Sequence, residues 1–204
     1  MTAARAPLDA DAILAATEEI LRRLGPDKAT VMDVARALGV SHAAVYKHFP
    51  SKQALREAVT RRWLDRNRDT LAVIAADRTV PPPQRLRRWL HAVLSLKQSK
   101  ICDDPELFAA YGHLAAGHSA VATGHVADLL RQLTAIVADG VDDGSFRAGD
   151  ADVMARAVFH ATAKFHHLAH AAEWQEPGIE TRLDEVCNLI LDGLQAPRPG
   201  DSNR

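Results

Sequence analysis

Between Thr30 and Leu55 the run TVMDVARALGVSHAAVYKHFPSKQAL places two helix-length apolar patterns on either side of one glycine, which leaves the chain few ways to fold there. In the first pattern Val31, Val34, Ala35 and Leu38 recur at i, i+3, i+4 and i+7 and so share one helical face. Thr30 is its N-cap, and Asp33 lies near the positive end of the helix dipole. Gly39 supplies the flexible residue past the helix end, and Val40 plugs the corner. Ser41 caps a second helix in which Val45 and Phe49 turn inward, leaving His42, Ala43, Ala44, Tyr46, Lys47 and His48 to share the outward face. A short helix that presents small and basic side chains fits a DNA major groove.

The rest of the chain repeats helix signals and lacks period-two alternation and Asn-Gly hairpin turns, so an all-α fold is expected. A first helix from about Asp9 to Leu24 carries Ile13, Thr17, Ile20, Leu21 and Leu24 on one face and stops at Gly25-Pro26, packing across the next two. A helix from Ser51 to about Ala76, with Leu55, Ala58, Val59, Trp63, Leu71 and Ile74 inward, is long enough to act as a rigid connector. The segment DRTVPPP, 77–83, breaks the pattern, because three prolines cannot continue a helix but can start one. Five more helices are expected at about Pro83–Lys100, Pro105–Gly117, Ala120–Asp142, Asp150–Ala172 and Ile179–Leu194, enough for a bundle. The expected domains are a three-helix DNA-binding domain at 1–50, a connecting helix at 51–76, a helical ligand-binding and dimerisation domain at 77–196, and a disordered polar tail at 197–204.

With 204 residues, 47% of them hydrophobic, the chain can bury one sizeable core and a small accessory domain. No run of about 18 apolar residues occurs, so no membrane partner is expected. The opening MTAARAPLDAD has no apolar stretch, which argues against a signal peptide, and Cys102 and Cys187 stand outside any CxxC arrangement, as ordinary thiols of a cytoplasmic protein do. Net charge is −1, yet residues 1–68 carry 12 Lys and Arg against 8 Asp and Glu, while residues 69–204 carry 13 against 18. The basic charge gathers at the end that holds the paired short helices.

The run GVSHAAVYKHFPSKQAL resembles the recognition region of TetR-type (TetR/AcrR family) transcriptional regulators, specifically over roughly residues 10 to 60. By that resemblance Thr30, Tyr46, His48 and Lys52 are expected to clamp DNA phosphates, and His42, Ala43, Ala44 and Lys47 to approach base edges. The resemblance further implies a homodimer on a palindromic operator, most often a repressor, released when a small-molecule effector binds the second domain. The last two helices are the expected dimer contact, with Val153, Ala157, Ala161, Ala163 and Ala171, then Val186, Leu189, Ile190 and Leu194; burial inside one chain suits those residues equally well.

Trp89, Leu90, Val93, Leu94, Phe108, Tyr111 and Phe159 sit on different expected helices and are candidates for the wall of an effector pocket or for plain core. Eight of the ten histidines lie beyond residue 90, and His160, His166, His167 and His170 crowd into HATAKFHHLAH. On one helix His166 and His170 are i, i+4, a spacing that suits a transition metal, with His113, His118, His125, Asp103 or Asp104 as further donors. Pocket lining or plain surface explains the same histidines. No other cofactor is expected. A metal-dependent enzyme on that helix finds no HExxH, GxSxG, P-loop or GxGxxG sequence to support it, and no catalytic residue is assigned. A nonspecific architectural DNA-binding protein is the remaining alternative that the paired helices permit.

Overall fold

The computed structural model describes residues 8–66 and 68–195, so the expected tail at 197–204 and most of the opening segment lie outside the described residues. Ten α-helices follow one another: α1 Ala10–Lys28, α2 Val31–Leu38, α3 His42–His48, α4 Lys52–Asp65, α5 Arg68–Ala76, α6 Pro82–Asp103, α7 Pro105–Ala116, α8 Ala120–Asp142, α9 Ala151–Ala161 and α10 Ile179–Leu194. Short 3₁₀ helices occupy Ala163–Phe165 and Leu168–Glu173. The fold is all-α, as the periodicity predicts; among the described residues the sole β pairing is an isolated antiparallel bridge between Phe146 and Gln195.

The chain forms two compact units, one reaching to Arg66 and taking in Ile101–Thr123, the other made of 68–100 and the chain from Gly124 onward. In the first unit the Asp9 carboxylate accepts from the Ala12 amide at 2.7 Å to start α1, and Ile13, Thr17, Ile20 and Leu21 are buried. The stop expected at Gly25-Pro26 is a kink: Gly25 takes φ 74°, ψ 165°, and Pro26 opens one more turn. α7 packs on α1 and α4 within this unit, so the helix over residues 105–116 belongs with α1–α4 and not with the other helices expected after residue 77.

The single connector expected over 51–76 is two helices, α4 and α5. The two are separated at residue 67, which lies outside the described residues; α4 sends Leu55, Val59, Trp63 and Leu64 into the first unit's core, whereas Leu71 and Ala75 of α5 belong to the second.

In the second unit Arg85 is 2% exposed, and its guanidinium Nη1 donates to the Ala75 carbonyl at 3.0 Å and to Asp139 Oδ2 at 2.8 Å. One buried cation thereby ties α6 to the end of α5 and to α8. The expected helix Asp150–Ala172 ends at Ala161; the Thr162 hydroxyl donates to the Val158 carbonyl at 2.9 Å, and the chain continues in 3₁₀ geometry. That tighter path buries Phe165 and Trp174, whose indole N–H donates to the Lys164 carbonyl at 2.9 Å.

Two glycines of α8 separate helix propensity from packing. A Cβ on Gly124 meets nothing within 4 Å, whereas one on Gly140 falls 2.1 Å from the Phe146 ring, which is 1% exposed. Gly124→Ala is expected to raise the thermal midpoint through roughly 0.5–1 kcal/mol of helix propensity. Gly140→Ala should lower it, overpacking of roughly 1–3 kcal/mol outweighing the same gain. Calorimetry of both variants checks the opposed signs.

Candidate nucleic-acid interface

α2 opens with a reciprocal cap: Thr30 Oγ1 accepts from the Asp33 amide at 3.2 Å while the Thr30 amide donates to Asp33 Oδ2 at 3.1 Å. The Thr30 hydroxyl also donates to Asp33 Oδ2 at 2.6 Å, a bond that holds the Asp33 carboxyl below its usual range. The hydroxyl expected to meet a phosphate is therefore committed inside the cap, and contact with DNA requires it to turn away from Asp33. At the other end Gly39 adopts φ 60°, ψ 38°, a left-handed conformation that suits glycine, and the Val40 amide reaches back to the Ala35 carbonyl at 3.0 Å.

Ser41 Oγ accepts from the Ala44 amide at 3.2 Å and starts α3. Its seven residues sort sharply: Val45 is fully buried, Ala44 and Tyr46 are half-buried, and His42, Ala43, Lys47 and His48 are exposed. The His42 and Tyr46 rings meet edge to face with centroids 4.6 Å apart, which braces the tyrosine on the helix surface. Ser51 Oγ accepts from the Ala54 amide at 2.9 Å to start α4, and Lys52 stands exposed in that first turn, where the helix dipole disfavours a cation unless an anion is at hand. The residues expected to approach DNA thus lie at the capped starts of α2 and α4 and along α3, mostly exposed, with Lys47 and Lys52 supplying positive charge.

Residues 82–187 match the family described as "Tetracyclin repressor-like, C-terminal domain", and residues 13–59 match "Bacterial regulatory proteins, tetR family". The chain belongs to the TetR family. It is 29% identical over 178 residues to the HTH-type transcriptional repressor KstR2 of Rhodococcus jostii strain RHA1, with 82% of each chain covered. In fold it is similar to a protein with unknown function from Rhodococcus sp. RHA1, with a TM-score of 0.71, 24% identity, and 96% of this chain and 100% of that one covered. It is also similar to the TetR transcriptional regulator SCO0520 of Streptomyces coelicolor, with a TM-score of 0.50, 25% identity, and 92% and 98% covered. TetR proteins are DNA-binding transcriptional regulators and not enzymes. No helix among the described residues is long and apolar enough to cross a membrane.

Behind the TetR helix-turn-helix lies a polar network absent from the sequence reading. Glu18 of α1, 4% exposed, faces Arg66 Nη2 at 2.8 Å, Arg62 Nε at 3.5 Å and Arg22 Nη2 at 3.5 Å. Arg22 Nε donates to Asp104 Oδ1 at 2.6 Å, and the Trp63 indole N–H donates to Asp104 Oδ2 at 3.1 Å. Burial works against the Asp104 charge, but the bonds from Arg22 and Trp63 outweigh it and hold the carboxyl below its usual range. Asp104, considered as a metal donor from sequence, instead joins the start of α7 to α1 and α4. Glu18 gave one signal in advance, an acid beside Thr17 on the buried side of α1 with Arg22 four residues on.

The five pocket candidates divide between the units: Trp89, Val93 and Phe159 in the second, Phe108 and Tyr111 in the first, where Tyr111 packs against Trp63 with centroids 6.4 Å apart. They do not share one unit's interior as expected. The histidine cluster also changes character, since α9 ends at Ala161, His166 and His167 lie between the two 3₁₀ helices and His170 lies in the second, so that the i, i+4 spacing no longer sets a common face. His166 Nε2 bonds the Phe159 carbonyl at 2.9 Å, and His170 Nδ1 meets Glu173 at 2.8 Å. Among the described residues no group of three or more His, Cys, Asp or Glu is placed to hold a metal ion. Of the isolated cysteines Cys102 is exposed, while burial pushes the Cys187 thiol up to about 11.

Burial brings His125 down to about 3 and His166 to about 4 from 6.5, with Lys97 adding to both effects. Each takes up a proton more readily unfolded than folded, so the stability that the neutral rings contribute is present above about pH 6.5 and is lost as the pH falls toward 4. The thermal midpoint should drop between pH 7 and pH 5, and His125→Gln with His166→Asn should flatten that drop. Calorimetry across the range checks it.

Proposed function

We propose that this chain acts as a homodimeric repressor that grips a palindromic operator through two copies of α3 and releases it when a small molecule binds the second unit. The observation that carries this reading is the sorting of α3, with Val45 at 0% exposure and His42, Ala43 and Lys47 turned outward between capped neighbours. Lys47 donates to a guanine O6/N7 and Ala43 meets a thymine methyl. Tyr46, His48 and Lys52 fix the register on phosphates, with Thr30 joining once its hydroxyl leaves Asp33.

Pairing of two chains is supported by apolar side chains left at the surface of the last two helices. Val153 of α9 is 53% exposed and Leu189 of α10 is 74% exposed, with Ala157 and Ala161 exposed and Val186 and Ile190 half-buried beside them. Leu194 differs, being buried in its own unit. Effector binding is proposed around Trp89, Val93 and Phe159, where Lys97 is 6% exposed and burial lowers its ammonium to about 8. A buried cation of that kind favours an effector with an acidic group. The route back to DNA runs through α6, which continues unbroken from the second unit into the first at residues 100–101.

Selection of random duplexes by the purified chain tests the reading: an enriched inverted repeat supports it, and strong binding without sequence preference supports an architectural protein instead. On the selected operator Lys52→Ala should weaken all sequences alike and reduce the salt slope by about one, whereas Lys47→Ala should relax preference at one position at roughly 1–3 kcal/mol. The pair Val153→Glu and Leu189→Glu should give a folded monomer in sedimentation that has lost its preference for the repeat. A dimer that survives both charges refutes the proposed contact.

A further inference from the structure

Within the first unit, α1, α4 and α7 leave a cavity of about 160 Å³. Its apolar lining includes Leu21, Val59 and Leu114, and no carboxylate is among the lining residues. Thr60 also lines it, and this side chain is 1% exposed with a hydroxyl that has no hydrogen-bond partner. A buried hydroxyl left without a partner marks a place where something else supplies one. Arg56 lines the same space, anchored through Nη2 to the Pro26 carbonyl at the kink of α1 and keeping further N–H donors to offer. His113 also lines it with Nδ1 3.8 Å from Asp27, and Gln53 gives its amide to Glu57.

We propose that this cavity is a binding site for a small organic acid with one compact apolar group, of the size of benzoate. A cavity of about 150 Å³ with apolar walls accommodates a benzene ring. The apolar group packs on Leu21, Val59 and Leu114, and the carboxylate takes hydrogen bonds from Arg56 and the Thr60 hydroxyl. Such an acid touches α1, α4 and α7 together, the frame on which α2 and α3 are carried, and so gives the helix-turn-helix unit a ligand of its own. The site is separate from the effector region proposed in the second unit and does not rest on it.

Titration of the full chain with benzoate, followed by methyl shifts and by contacts from the ring protons, tests this, with benzylamine as the cationic control. Saturable binding in the millimolar range is expected, with contacts to the Val59 and Leu114 methyls and none from benzylamine. Arg56→Gln and Thr60→Val should each weaken it about fivefold or more, and Ala110→Leu, which fills the cavity, should abolish it. Absence of saturable binding means that the cavity holds water only and overturns the proposal. Benzoate contacts at other methyls, or affinity unchanged in Ala110→Leu, overturn it as well. If Ala110→Leu does not fold, Thr60→Val decides: the proposal fails if that variant binds benzoate as the parent does.

Discussion

The buried carboxylate of Glu18 is the constraint on which the helix-turn-helix unit depends. An isolated carboxylate at 4% exposure carries a desolvation cost of several kcal/mol, and here Arg22, Arg62 and Arg66 surround it. Those arginines come from α1 and from the last turn and end of α4, so neutralising Glu18 requires α4 to lie along α1 in one register. Arg22 then reaches Asp104, which also takes the Trp63 indole, and the start of α7 is drawn into the same set of bonds. Hydrophobic contact alone is tolerant of small slides between helices. A chain of directed charge-assisted bonds is not, and it fixes the platform that orients α2 and α3.

The second unit solves a similar problem differently. Arg85, buried to 2% exposure, donates through Nη1 to a helix-end carbonyl and to Asp139 while its buried Nε has no hydrogen-bond partner, and its charge organises the junction of α5, α6 and α8. Burial also acts on Lys97, His125 and His166: the lysine is held down to about 8 and both imidazoles are kept neutral.

The helix-turn-helix was legible because its determinants are local. Thr30, Gly39, Ser41 and Val45 act within four or five residues of themselves, and a single sequence contains everything that cap and turn geometry needs. The boundaries of α8 and α10 were equally plain. What could not be read was set by partners far along the chain. Asp104 looks like a metal donor until Arg22, 82 residues away, is placed beside it. The residues of the expected 51–76 helix are shared between two units, and periodicity carries no mark of which core a residue joins. The histidine cluster misled because α9 ends at Ala161, and the helical spacing assumed for His166 and His170 ends with it.

The need for two copies follows from how little α3 offers. It is seven residues long, and of its exposed side chains His42 and Lys47 are the hydrogen-bonding ones aimed at bases in the proposed reading. One good side-chain contact discriminates against a wrong base by roughly 1–3 kcal/mol, whereas a regulator separates its operator from bulk DNA by roughly 4–10 kcal/mol. A single copy falls short of the middle of that range, and doubling the contacts through a two-fold axis reaches it without enlarging the reading helix. If the proposed pairing through the exposed Leu189 and Val153 holds, sequence preference is a property of the pair and not of one α3.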